Sequence, residues 1–448
     1  MYEVAEANYA RVAEVLEGVI STATTALANG GAAALAGVGA SAAATEGGAT
    51  GLLDAPAVGP AGTAGGADGR LVRFNASPVA AGGVTALGGS PTDEARAVPP
   101  VRHGDHLVFD TGVVTATIDG AGHVVSLTAN DSGRDAIAPG SAGAEYTVFR
   151  DTPNQWEAWD IDRAYQRNGT VLTASDVTVD GDTVVVSRAF GSSTITTRFS
   201  AADGEAELHI ETEVDWHEHQ KLLKLAFPLD VRASVASSEI QFGHIDRPTH
   251  QNTSWDSARF ETSAHRWVHV AEAGFGVAVA NDSTYGHDIT RATREDGGTT
   301  TLVRESLLRA PTFPDPDADQ GHHVFRTVLR VGATALEAAD SGYRLNLPVR
   351  SVPGTATVDP LVTVSSPQVF VEAVKLAEDR SGDVVVRLYE AAGGRATDVG
   401  VSFGFDVASV TAVDLLERPV EASSWGAGEP VVLTLRPFEI VTLRVRRA

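Results

Sequence analysis

The feature that most constrains this chain is a strict alternation between residues 205 and 216. Ala206, Leu208, Ile210, Thr212, Val214 and Trp216 interleave with Glu205, Glu207, His209, Glu211, Glu213 and Asp215. Only an extended strand sends successive side chains to opposite faces, so this segment must have one buried face and one wet face. Shorter runs of the same kind occur at 113–118, 171–179, 183–190, 194–199, 276–280 and 324–331. Turn pairs such as Asp119-Gly120, Asp180-Gly181 and Asp203-Gly204 separate them. No helix-length pattern interrupts the series, and strand following strand predicts antiparallel sandwiches rather than a doubly wound sheet. From 345 to 360 the sequence is punctuated by proline, and further strand patterns follow at 370–376, 384–389, 399–405, 431–435 and 440–445. The expected class is mainly β, with a large antiparallel β-sandwich over 70–344 and a smaller C-terminal β-sandwich over 345–448.

The one strong helical pattern lies at the start. Ala5, Tyr9, Val12, Leu16, Val19, Ala23 and Leu27 recur at steps of three and four, which predicts an amphipathic helix over 1–28. It begins at Met1 without a capping residue, and its apolar stripe needs a partner, so it reads as the remnant of a larger helical bundle. Residues 29–69 are dominated by Ala, Gly, Thr and Ser, and a loose linker is the expectation there.

Composition removes several function classes. The chain has 34 basic and 58 acidic residues, a formal charge of -24. Such a surface repels nucleic-acid phosphates and anionic lipid, so neither nucleic acid nor membrane is an expected partner. With no cysteine there can be no disulfide, thiolate metal site or thiol nucleophile. No basic segment leading into an apolar run marks the start, and the expected compartment is the cytoplasm.

The residues best suited to chemistry lie between Gln241 and Asp288, where Trp, His, Asp and Asn crowd together with few aliphatic neighbours. The stretch reads as loops that line a polar cleft or knit together by hydrogen bonds. A sugar needs an apolar face against its C–H surface and fixed partners for its hydroxyls. His250, Asn252, Trp255, Asp256, Asn281, Asp282 and Tyr285 are therefore the candidate substrate-binding residues. No catalytic residue and no metal ligand is assigned. His265 and His269 have the i, i+4 spacing of a zinc helix, yet Arg266 stands where a catalytic Glu belongs. In an extended chain the two would lie about 13 Å apart. The Gly-rich and nucleophile-elbow motifs of nucleotide-binding proteins and serine hydrolases are not found.

Long strings in this sequence resemble the C-terminal part of glycoside hydrolase family 38, the α-mannosidases, particularly the cytosolic and bacterial branch. They include Arg150-Asp151-Thr152-Pro153-Asn154-Gln155-Trp156-Glu157-Ala158-Trp159-Asp160-Ile161-Asp162, Val214-Asp215-Trp216-His217-Glu218, and Arg247-Pro248-Thr249-His250 with Asn252-Thr253-Ser254-Trp255-Asp256. Others are Asn281-Asp282-Ser283 with Tyr285-Gly286, Leu308-Arg309-Ala310-Pro311, and Arg436-Pro437-Phe438-Glu439-Ile440. The resemblance implies hydrolysis of α-mannosides or mannose-containing oligosaccharides by an N-terminal domain that carries an aspartate nucleophile and a zinc site. The segment Val4–Val12 is similar to the helix that follows the last zinc ligand. The nucleophile and zinc ligands are therefore expected in a separate N-terminal catalytic half, a partner for this chain, with no cofactor in the chain itself. Two readings compete: a C-terminal α-mannosidase part that is inactive alone, or a free-standing carbohydrate-binding or structural β-sandwich protein.

Overall fold

The alternation at 205–216 becomes the strand Glu207–Trp216, with Leu208, Ile210, Thr212, Val214 and Trp216 buried. In the computed structural model, which describes residues 2–30 and 70–448, this strand is central to a nine-stranded antiparallel sheet. The spatial order is Ala174–Asp180, Thr183–Phe190, Ser193–Ser200, Glu207–Trp216, Gly321–Val331, Phe275–Asn281, Trp267–Glu272, Val235–Ile240 and Gly243–Pro248. Opposite it lies a six-stranded sheet ordered Thr262–Ser263, Gly286–Thr293, Thr299–Leu308, Lys221–Leu229, Glu145–Arg150 and Gly169–Val171. A five-stranded meander from Val101–His103 to Arg134–Asp135 adds Phe109, Ile118 and Leu127 to the same core as Phe199, Trp216, Leu225, Phe227 and Leu329. Each such side chain contributes roughly 1.5 to 3 kcal/mol by leaving water, which is why the alternating positions fix the register.

The C-terminal sandwich pairs a five-stranded sheet with a three-stranded one. Between them lie Val371, Val386, Leu388, Val399, Leu435 and Leu443. Arg350–Pro353, which the sequence groups with this part, instead pairs with Leu71–Phe74 in a small separate sheet.

Helix α1 spans Tyr2–Ala28 as its pattern predicts. It touches the rest of the molecule at its C-terminal end, where the Ala28 carbonyl accepts from the amides of Thr355 and Ala356 and Glu17 pairs with Arg350. Tyr9, Val12, Leu16 and Val19 of its stripe stay exposed. The Ala/Gly-rich tract expected as a linker lies outside the described residues, apart from the turn at Asn29 and Gly30. Among the described residues no helix is long and apolar enough to cross a membrane.

Two expectations need correction. About half of the stretch 241–288 is strand: besides Phe275–Asn281, whose run at 276–280 the sequence marks, Trp267–Glu272 lies inside the nine-stranded sheet, and Trp267 is fully buried. Trp267–Glu272 carries no clear alternation because both faces are covered, by the sandwich core on one side and by a helix on the other. That helix, here α3 (Ala335–Asn346), is the second correction, since no helix is expected there from the sequence. Thr334 and Glu337 close a reciprocal capping box at its start. Apart from Tyr343 its buried side chains are small (Ala338, Ala339, Ser341, Gly342), so it seats close to the sheet, and a Cβ on Gly342 would meet Arg266 and Trp267 at 3.0 Å. Together with Trp267, Tyr343, Phe370 and Tyr389 it forms the core that joins the two sandwiches. Phe438, from the C-terminal motif, closes the joint edge-on to His244 at 4.9 Å, over Gly243, whose φ of 158° and missing Cβ admit the ring.

Candidate functional site

The structure separates the seven candidate residues into two places. His250, Asn252, Trp255 and Asp256 lie on or beside the short helix α2 (Ser254–Ala258), and Asn281, Asp282 and Tyr285 lie in the turn that follows Phe275–Asn281. Several of them are occupied by their own loops. The Asp256 carboxylate accepts from the Thr253 amide and hydroxyl, bonds that hold its pKa below the usual carboxylate range, and His250 lies 3.4 Å away. Asn281 is buried, accepting from the amides of Ser283 and Thr284 and donating to the His265 carbonyl. Asp282 accepts from the Arg326 amide at 2.9 Å and pairs with its guanidinium at 3.2 Å. Trp255 and Tyr285, 76% and 64% exposed, are the two that offer free rings.

Beside α2 stands an aromatic platform that sequence reasoning misses. The turn after Glu145–Arg150 exposes Trp156 and Trp159, and Trp159 meets the exposed Phe313 edge-on at 6.5 Å. Such side chains would be buried unless something held them out, and the loops beneath are firmly tied. Arg309 donates to the buried Asp151 carboxylate at 2.6 Å and to the Asp160 carbonyl at 2.7 Å. Asp319 accepts the amides of Arg309 and Ala310, and Glu157 accepts from Gln220 and Thr312. Asp162 accepts the Asn154 amide, and Arg163 fastens the loop to α2 through Gln251 and Ser257. The available signal was two tryptophans in a turn-rich segment with no hydrophobic period. Glu157, Asp162 and Asp319 are thus scaffold carboxylates already occupied by hydrogen bonds, as is one oxygen of Asp151, whose buried Oδ1 has no partner among the described residues.

This scaffold rests on a buried charge cluster on the outer face of the six-stranded sheet. The Lys224 ammonium lies 2.5 Å from Glu261 and 2.6 Å from Asp288, and Asp288 also pairs with Arg304. Tyr165 donates to Glu261 and lies under Lys224. The loop 151–168 and the segment 249–262 are therefore seated by ion pairs shielded from water, where each hydrogen bond counts for more than on the surface.

The turn with Tyr285 faces a different place, a cleft of about 400 Å³ at the joint of the two sandwiches. Its walls are Gln241, His265, Arg266, Asp282 and Tyr285 of the large sandwich, Tyr343 and Asn346 of α3, and Glu372 of the C-terminal sandwich. Arg266 grips the buried Glu239 through both oxygens and stacks 3.7 Å over Tyr343. Burial acts to lower the Arg266 pKa, but the bonds to Glu239 outweigh it and raise the value. Tyr343 donates to Glu372 and lies 3.0 Å from the Tyr389 hydroxyl.

A zinc site does not fit the residues present. Among the described residues no group of three or more His, Asp or Glu side chains could hold a metal ion. His269 lies buried in a strand with Nε2 on the Ala333 carbonyl, while His265 lines the joint cleft.

Comparison with known proteins is consistent with this geometry. Residues 109–317 match the glycosyl hydrolases family 38 C-terminal domain, and residues 368–443 match the family 38 C-terminal beta sandwich domain. Alpha-mannosidase 2C1 of Homo sapiens is 36% identical over 355 residues, covering 75% of this chain and 33% of that protein. Alpha-mannosidase G of Dictyostelium discoideum is 32% identical, covering 75% and 32%. The chain thus spans about a third of the length of these relatives. An alpha-mannosidase from Enterococcus faecalis V583 superimposes with a TM-score of 0.61 at 15% identity, over 81% of this chain and 45% of that one, which is a likeness of fold.

Proposed function

The chain belongs to glycosyl hydrolase family 38, whose two C-terminal domains it carries, and on that premise we propose that it is the non-catalytic C-terminal part of an α-mannosidase. Its substrate class is α-mannosides or mannose-containing oligosaccharides, and its partner is the N-terminal catalytic half. The resemblance to the cytosolic branch supports a cytoplasmic setting. The division near residue 345 then separates the platform-bearing sandwich from the C-terminal one.

The observation that carries the reading is the exposed Trp159–Phe313 pair, with the exposed Trp156 in the same turn and the α2 segment of Trp255 tied to that loop through Arg163. Exposed rings on loops pinned from below match the C–H face of a sugar and lose little freedom on binding. The platform supplies one wall. The nucleophile and the acid that a retaining glycosidase needs on either side of the bond belong, by the resemblance, to the catalytic half, and no step of the chemistry is assigned to residues here. Of the candidates from sequence, the exposed Trp255 is our proposal for a further ring of this wall, with His250 and Asn252 beside it in the same segment, and Asp256 positions α2. Asn281 and Asp282 position the turn that presents Tyr285.

The test is complementation. The purified chain alone should not hydrolyse aryl α-mannosides, and addition of the family 38 catalytic half from the same genome should produce turnover. Turnover by the chain alone that survives further purification would contradict the reading, as would a catalytic half whose rate is indifferent to the chain.

A further inference from the structure

The cleft at the joint of the sandwiches plays no part in the function proposed above, yet it has the chemistry of a binding site. Its volume, about 400 Å³, lies within the roughly 300 to 1,000 Å³ usual for small-molecule sites, and it sits where such sites often occur, between two domains. One wall is a free aromatic face, the Tyr285 ring, held edge-on to His265 at 5.5 Å. Its backbone is fixed on both sides: the Tyr285 carbonyl accepts from the Ala264 amide, and Asn281 closes the turn before it. Across the cleft, Glu372 receives the Tyr343 hydroxyl on one oxygen and keeps the other. The exposed Gln241 and the Tyr285 hydroxyl add donors and acceptors.

Charge selects the ligand class. The cationic side chain in the wall, Arg266, is neutralised by Glu239 at 2.6 Å and covered by Tyr343, and Asp282 is matched by Arg326. With Glu372 left over and a chain charge of -24, an anion finds no counter-charge here and meets a repulsive field. A small cation would satisfy Glu372 alone and leave the cleft and the Tyr285 face unfilled. What remains is a neutral molecule with one apolar face and several hydroxyls. We propose that this cleft binds a neutral saccharide of one or two units, stacked on Tyr285 and hydrogen-bonded to Glu372 and Gln241. The site joins residues of both sandwiches, so an occupant would also brace the C-terminal sandwich against the large one. The inference goes beyond the mannosidase reading and stands or falls without the platform.

Calorimetric titration of the full chain with methyl α-mannoside, beside glucuronate as the charged comparison, tests it. The expectation is saturable binding in the millimolar range, weakened at least tenfold by Tyr285→Ala and several-fold by Glu372→Gln. Tyr285 is exposed, so its replacement should leave the melting temperature unchanged. Hydrogen exchange under saturating sugar should slow at 281–286 and 370–374. No saturation by 50 mM (on the order of a weak sugar site, ~-2 kcal/mol), equal affinity in Tyr285→Ala, or tighter binding of glucuronate would overturn the proposal. Protection confined to 156–160 would also overturn it and place the sugar on the platform instead, whereas failure of the platform reading shows in turnover of the complemented enzyme.

Discussion

The six-stranded sheet buries ionisable side chains on both of its faces, and the two faces resolve the problem differently. On the outer face Lys224, Asp288, Arg304, Glu261 and Tyr165 form a closed set in which opposite charges meet at 2.5 to 2.8 Å. On the inner face His287 and Glu305, adjacent in the register and both fully buried, approach only to 3.9 Å. The Glu305 Oε1 and His287 Nε2 atoms have no hydrogen-bond partner among the described residues. Burial, only partly offset by the Thr327 hydroxyl, pushes the Glu305 carboxyl up to about 8, and burial lowers His287 to about 4. At neutral pH the outer face therefore keeps its charges by pairing them, and the inner face holds a neutral acid and a neutral imidazole. A charge can be buried with partners or removed by a proton, and this sheet uses each solution where the neighbouring residues permit it.

Breaking the outer set should have the largest effect. Lys224→Met leaves the partly buried Glu261 without its cation and the fully buried Asp288 with Arg304 alone, and loss of one member of a buried pair costs about 3 to 5 kcal/mol. Denaturant unfolding of the large sandwich should shift by that amount, and amides in 151–168 and 249–262 should exchange faster. A shift below ~1 kcal/mol would show that the cluster is not what seats those loops.

The inner pair sharpens the contrast through pH. A carboxyl raised in the fold stabilises it below its unfolded value of 4.5 and loses that contribution as pH climbs through about 8. A lowered histidine does the opposite: its contribution is present above 6.5 and lost as pH falls through about 4. The two slopes oppose each other between about 4.5 and 6.5, and above 6.5 the Glu305 slope stands alone. Stability should fall by about 2 kcal/mol from pH 6.5 to 8. Glu305→Gln, which keeps an acceptor for Thr327 and offers His287 a donor, should flatten that decline. An undiminished slope in the variant would assign it to other groups.

The smallest effect is expected at the edge of the outer scaffold. Asp256→Ala removes one half of the α2 capping box, for about 1 kcal/mol of local stability. Hydrogen exchange at 253–258 is the appropriate measurement, and a loss several times larger would mean that Asp256 supports more than its own helix.

How much of this was readable beforehand follows the same physics. Glu207–Trp216 was legible because one of its faces is wet, and alternation survives only in that case. Trp267–Glu272 reads as loop in the sequence because both of its faces are covered and the period is erased, whereas its neighbour Phe275–Asn281 is legible in the run at 276–280. Helix α3 was legible in principle, since Thr334 and Glu337 spell a capping box and Leu336, Ala339 and Tyr343 recur at helical steps, but the stripe is short and interrupted by Ser341 and Gly342. For the site, Trp255 and Tyr285 were legible as free aromatic rings in polar loops. Asp256 and Asn281 were not readable as scaffold, because whether a polar side chain bonds to its own turn or faces a ligand depends on geometry. Trp159 and Phe313 meet only through the fold, being more than 150 residues apart along the chain.

The central claim, that the pinned aromatic platform is the sugar-facing wall of an α-mannosidase, is tested most directly by Trp159→Ala in the complemented enzyme. Its ring is 66% exposed, so the melting temperature should stay within about a degree of the parent. The value of kcat/KM for an aryl α-mannoside should fall at least tenfold, about 1.4 kcal/mol of transition-state binding. Unchanged kcat/KM in a folded variant would contradict the account.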